Sequence, residues 1–91
     1  MSRQIYFFTS PTCAPCKVVK PAIMELKEDY PGFSWNFIDT TNDPKNLGGQ
    51  LGITHVPTMV AFDISGNEIG RYTGSTIMGY YSLVKRLLKD L

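Results

Sequence analysis

The stretch Ser10-Pro11-Thr12-Cys13-Ala14-Pro15-Cys16-Lys17 holds the only two cysteines of the chain. It lies where a strand-like apolar run, Ile5-Tyr6-Phe7-Phe8, meets a helix-like one. Two thiols separated by two residues at such a junction can close a disulfide and open it again, which is redox chemistry without a bound cofactor. Other uses fit less well. A disulfide across so short a loop contributes only about 2 kcal/mol in the chain-entropy model, and the gain grows with loop length. A structural staple would therefore join distant segments. Closed zinc sites take four Cys or His ligands and open ones take three. This chain offers two Cys and His55, far away in sequence. No metal and no cofactor are expected on a single chain. A cluster shared between two copies and a pair of inert buried thiols are the alternatives, and the helix-start position argues against inert thiols.

Working outward, Arg3 to Phe8 reads as a strand with continuous apolar character, as expected when both faces are covered. A helix follows from about Ala14 to Tyr30. Val19, Ala22, Ile23, Leu26 and Tyr30 form its buried stripe, with Lys17, Lys20, Lys27 and Glu28 mostly opposite. Pro21 removes one helical hydrogen bond and is expected to kink the axis. Pro31-Gly32 ends the helix. Phe33 to Asp39 is the second strand, with Phe33, Trp35 and Phe37 on one face. A strand-helix-strand unit of this length implies parallel strands and a right-handed crossover. Asn42-Asp43-Pro44 is read as the start of a short helix with Pro44 near its first turn, ending around Gly48 to Gly52. The strand Thr58 to Phe62, the turn Ile64-Ser65-Gly66-Asn67 and the strand Glu68 to Thr73 read as a hairpin. Gly74 breaks the strand. Ser75 is the expected N-cap of a last helix, whose stripe is Ile77, Tyr80, Tyr81, Val84, Leu87, Leu88 and Leu91. These aromatic residues, with Trp35 and Phe37, are read as core.

The bulk numbers agree with one globular domain. The 91 residues are 43% hydrophobic and 19% charged, with a formal net charge of +1. That is enough for one modest core. No basic run interleaves with aromatics, so no nucleic acid is expected as a partner. No apolar run approaches the roughly 20 residues of a membrane span, so no membrane is expected either. Met1-Ser2-Arg3-Gln4 leads straight into a strand without a secretory pattern, so a cytoplasmic, reducing setting is the expectation.

Cys13-Ala14-Pro15-Cys16-Lys17 after a buried strand, Pro21 in the next helix, Val56-Pro57-Thr58 before a hairpin and Gly74 before a final helix together resemble the thioredoxin family. The resemblance covers nearly all of the chain. It implies an α/β fold, thioredoxin-like, over residues 1–91. The central four-stranded mixed sheet would run β-α-β-α-β-β-α with helices on both faces, lacking the strand and helix that usually precede. Several positions depart from the family pattern. Thr12 stands where Trp is usual, and Ala14 where Gly is usual. Phe7 aligns with a buried acid and Trp35 with its neighbouring lysine.

The implied function is that of a protein disulfide oxidoreductase of the disulfide-reductase kind. Cys13, at the helix start, faces unpaired backbone N–H groups and the positive end of the helix dipole. Its thiolate should be favoured below the free value of about 8.5, making it the nucleophile. Cys16, further into the helix, is the resolving thiol. Pro57 is held cis in the family and would expose Val56 for pairing with an extended substrate. Thr12, Ala14, Pro15, Val56, Pro57 and Gly74 would form the substrate-binding surface. With Phe7 in the acid's place, Cys16 would lose its proton to water or to a group such as Asp39 or His55. The implied partners are disulfide-containing client proteins and an electron donor of the thioredoxin-reductase or glutathione kind, acting on a monomer. Two other functions compete. One is glutaredoxin-like use of glutathione, which Pro15 and the non-acidic Thr73-Gly74-Ser75-Thr76 disfavour. The other is a binding subunit that docks a partner protein through the cysteine loops.

Overall fold

Alternation along the first strand decides how the layers stack. Neighbouring side chains of a strand point to opposite faces, so Ile5 and Phe7 share one face and Tyr6 and Phe8 the other. The computed structural model describes residues 2–89. Its elements are β1 (Gln4–Thr9), α1 (Ala14–Asp29), β2 (Ser34–Asp39), α2 (Leu47–Gln50), β3 (Thr58–Phe62), β4 (Glu68–Thr73) and α3 (Ile77–Lys89). The four strands form one mixed sheet in the order β2-β1-β3-β4. β1 pairs parallel with β2, and β3 pairs antiparallel with both β1 and β4.

The face carrying Ile5, Phe7, Met59 and Ala61 holds the main core, closed by Val19, Ile23 and Leu26 of α1 and by Tyr80, Leu83, Val84 and Leu87 of α3. On the opposite face α2 is a single turn. Gly48 packs near the Phe8 ring there, while Tyr6 and Phe62 stay half-buried and meet edge to face at 5.6 Å. Polar side chains finish this half-covered face. Tyr6 donates to Gln4 Oε1 at 3.2 Å, and Asn36 Nδ2 donates to the same oxygen at 3.3 Å. Both faces thus carry helices, as the resemblance implies, but unequally.

Several boundaries differ from the sequence reading. Pro44 precedes α2 rather than opening it. The Asp43 carboxylate accepts from the N–H groups of Leu47 and Gly48, so it caps the helix across an intervening turn. α3 begins at Ile77, which leaves Thr76, not Ser75, ahead of its first turn; the Thr76 carbonyl accepts from Gly79 N–H at 3.1 Å. The buried stripe of α3 includes Leu83, while Ile77 and Leu88 are 39% and 47% exposed. The stripe is therefore narrower than periodicity alone suggests, because only one flank of α3 meets the sheet. Leu91 lies outside the described residues. α1 ends at Asp29, with the Tyr30 N–H closing its last turn onto Leu26. The helix continues through Pro21, whose ring lies on the exposed side, so the carbonyl deprived of its N–H is at the solvent surface.

Tyr80 is the largest fully buried side chain. Its ring meets Phe7 at 5.7 Å and Tyr72 at 4.8 Å, both edge to face. Tyr72 in turn lies over Gly79, where a Cβ would overlap its ring. A Gly79→Ala substitution must push that ring aside. It gives up edge-to-face packing worth about 0.5–1.5 kcal/mol beyond area burial, against about 1 kcal/mol of helix propensity gained. We expect Gly79→Ala to leave the native protein no more stable in urea unfolding. In a Tyr72→Ala background it should stabilise by about 1 kcal/mol. Equal effects in the two backgrounds would contradict this packing.

Burial pushes the Tyr80 phenol up to about 12; the neighbouring Tyr72 adds to the rise, and the hydrogen bond to Gly74 opposes it. The ordinary value is about 10, so folding favours the neutral phenol. That contribution to stability is complete below about pH 10 and is lost as pH rises towards about 12. Between those limits, unfolding free energy measured by denaturant titration should fall more steeply for the native protein than for Tyr80→Phe.

Candidate active site

Strand register collects the site at one end of the sheet. β1 leads into the cysteine loop at its C-terminal end. β3 runs the other way, so its first residue, Thr58, lies opposite Phe8. Thr58 also faces Thr73, the last residue of β4. The loops before Thr58 and after Thr73 therefore emerge beside the cysteine loop. β2 ends at the same edge, with Asp39 in register with Thr9.

Local sequence positions the two sulfurs. Ala14 and Pro15 open α1, and Pro15 costs nothing there because first-turn N–H groups lack helical partners. Cys13 is the N-cap, in an extended conformation, and its Sγ accepts the Cys16 N–H at 3.1 Å. Cap geometry thus brings the sulfur of the first cysteine over the second. The two are joined as a disulfide, with their Cα atoms 5.3 Å apart. Cys13 is 9% exposed and Cys16 is 3% exposed, so the first cysteine is the less covered of the two. Thr12, Ala14 and Pro15 are exposed around it.

The second loop is held from beneath. The Val56–Pro57 peptide bond is cis. Pro57 is buried, and its carbonyl accepts the Gly74 N–H at 3.2 Å and faces the Tyr80 hydroxyl at 3.3 Å. The same hydroxyl donates to the Gly74 carbonyl. Gly74 has φ +140°, a conformation that favours glycine, with the Tyr72 hydroxyl beside it. Thr58, 2% exposed, donates its hydroxyl to the His55 carbonyl at 2.7 Å. A hydroxyl has one proton, so Thr73 must donate in the 2.7 Å contact between the two threonines. Val56 is half-buried, and among the described residues its backbone N–H and carbonyl make no hydrogen bond.

The structure thus brings Cys13 to Cys16 and Pro57 to Gly74 by direct bonds, and places both pairs at one sheet edge. Two supporting residues were not singled out from sequence for this role. In the sequence Tyr80 carries only a core signal, and Thr58 closes the Val56-Pro57-Thr58 motif and opens a strand. The Tyr80 hydroxyl finds its partners at Pro57 and Gly74, and Thr58 joins the His55 carbonyl three residues back to Thr73 on the next strand. His55 stands apart: it is exposed, with Nδ1 3.0 Å from the Thr54 hydroxyl. Phe7 is packed between Phe37 at 6.2 Å and Tyr80. Trp35 pairs in register with Ile5 and donates Nε1–H to the Tyr30 carbonyl at 2.9 Å. The two aromatics read as replacing a charged pair therefore belong to different contacts. Among the described residues, no group of three His, Cys, Asp or Glu side chains is placed to hold a metal ion.

Comparison with known proteins points the same way. The family model for Thioredoxin matches residues 2–86. Mitochondrial thioredoxin O1 of Arabidopsis thaliana is 30% identical over 86 residues, covering 93% of this chain and 44% of that protein. A thioredoxin of Synechocystis sp. is 33% identical over 68 residues, covering 75% of this chain and 63% of that protein. The chain spans less than two thirds of the length of these relatives. The crystal structure of oxidized thioredoxin O2 from Arabidopsis thaliana superposes with a TM-score of 0.85 at 27% identity, covering 97% of this chain and 76% of that one. With a cysteine pair closed at a helix start and a family model that matches residues 2–86, the chain belongs to the thioredoxin family.

Proposed function

We propose that this single domain is a protein disulfide reductase that works by dithiol–disulfide exchange. The observation that carries the reading is the Cys13 cap. Its sulfur accepts a first-turn N–H at 3.1 Å and lies within bonding reach of Cys16. In the reduced protein those N–H groups favour a thiolate on Cys13. The thiolate attacks one sulfur of a client disulfide, a mixed disulfide forms, and the other client sulfur leaves as a thiolate. Cys16 then attacks Cys13 Sγ, releasing the second client thiolate and leaving Cys13–Cys16 oxidised.

Docking rests on the two loops. The free backbone groups of Val56 suit an extended client segment paired as a short added strand. Thr12, Ala14, Pro15, Pro57 and Gly74 flank it with little charge. The clients are disulfide-bearing proteins, and a reductase of the thioredoxin-reductase kind returns the dithiol. A monomer in a reducing compartment, the cytoplasm, completes the proposal. No helix among the described residues is long and apolar enough to cross a membrane.

Two cysteine variants test the assignment. Cys16→Ser should accumulate covalent client adducts on non-reducing gels, while Cys13→Ser should accumulate none and lose insulin reduction. Adducts on Cys13→Ser instead would reverse the roles. Turnover should be supported by a thioredoxin reductase and not by glutathione with its own reductase. A double Cys→Ser variant that retained biological activity would favour the partner-binding function instead.

A further inference from the structure

We propose that Asp39 accepts the proton of Cys16 through water in the cleft that joins them, and so drives the resolving step of the exchange reaction. The inference rests on the reading of Cys13 as nucleophile and Cys16 as resolving thiol. A thiol attacks a disulfide as its thiolate, so Cys16, only 3% exposed, must lose a proton from a buried position. The core beneath α1 holds no carboxylate or imidazole among the described residues; Phe7 and Tyr80 meet there edge to face.

An outlet exists on the other side. A cleft of about 200 Å³ is lined by Cys16, Lys17, Lys20, Asp39, Thr9 and Ser10, among others. A liquid water occupies about 30 Å³, so the space admits a short water chain. Its titratable groups besides Cys16 are the two lysines from α1 and Asp39 from β2. The ammonium groups have no lone pair to accept a proton. Among the described residues, Asp39 is therefore the one carboxylate lining the cleft.

Its placement follows from register. Asp39 lies opposite Thr9, two residues on from the Phe7–Phe37 pair, and so on the face of the sheet that α1 covers. One oxygen is occupied: Oδ1 accepts the Thr41 N–H at 2.8 Å and the Thr41 hydroxyl at 2.7 Å. Among the described residues nothing donates to Oδ2, which is left to receive a proton. In the mixed disulfide, the Cys16 proton passes through water to Asp39. The Cys16 thiolate forms a bond to Cys13 Sγ, and the Cys13–client S–S bond breaks. The electron pair leaves on the client sulfur, which takes a proton from solvent. The client disulfide is reduced by two electrons and the Cys13/Cys16 dithiol is oxidised.

Asp39→Asn separates this role from a structural one, because its Oδ1 still accepts both Thr41 bonds while Oδ2 becomes a donor. Reduced protein is mixed in stopped flow with a symmetric aryl disulfide that releases a coloured thiolate at each step. The first phase reports Cys13 attack and the second reports Cys16 resolution. Asp39→Asn should leave the first phase unchanged and slow the second about 100-fold near neutral pH. The second phase of the variant should recover as pH rises, and Asp39→Glu should restore much of it at neutral pH. A second phase with native rate and pH dependence in Asp39→Asn would overturn the proposal, as would equal slowing of both phases. Native protein that releases no coloured thiolate would overturn the dithiol reading itself, and this proposal with it.

Discussion

The antiparallel register of β3 against its two neighbours assembles the functional edge of the molecule. Thr58 faces Phe8 on one side and Thr73 on the other, so three loops that are distant in sequence leave the sheet together. A slip of β3 by one residue would turn Met59 and Ala61 out of the core. It would also carry the Pro57 loop away from the cysteines. Burial of Ile5, Phe7, Met59 and Ala61 on one face makes that slip costly, so the hydrophobic core holds the site in register.

Short-range and long-range interactions divide the work. The Cys13 cap is made within four residues and needs only the start of α1. The second loop needs the whole fold. A buried hydroxyl must be hydrogen-bonded, and Tyr80 meets that demand at the carbonyls of Pro57 and Gly74. One side chain thus closes the core and fixes the loop that leaves the sheet at the same end as the cysteine loop. The two loops differ in how they would respond to loosening of α3: the first keeps its cap, while the second loses its support.

The core is aromatic where Phe7 and Tyr80 meet edge to face, while Phe37, read as core from the sequence, touches Phe7 from the β2 edge and is 40% exposed. An unpaired carboxylate in the core would be costly to bury. Charge is found at the rim instead, where Lys17, Lys20 and Asp39 border the cleft on the Cys16 side.

Element order, the helix-start position of the cysteine pair, the buried stripe of α1 and the hairpin of β3 and β4 were all legible in the sequence. Each rests on contacts between residues a few positions apart, through i, i+3 and i+4 spacing, strand alternation and turn-forming residues. The misplaced start of α2 shows the limit of such reading, since Asp43 caps the helix from across a turn that looked helical. So does α3, where Ile77 and Leu88 fit the stripe but face solvent. Only the tertiary structure decided that the loops of Pro57 and Gly74 leave the sheet at the same end as the cysteine loop, that the Tyr80 hydroxyl serves them, and that Asp39 shares a cleft with Cys16. Those relations depend on which strands pair and in what register, and pairing between distant segments leaves no periodic trace in the chain.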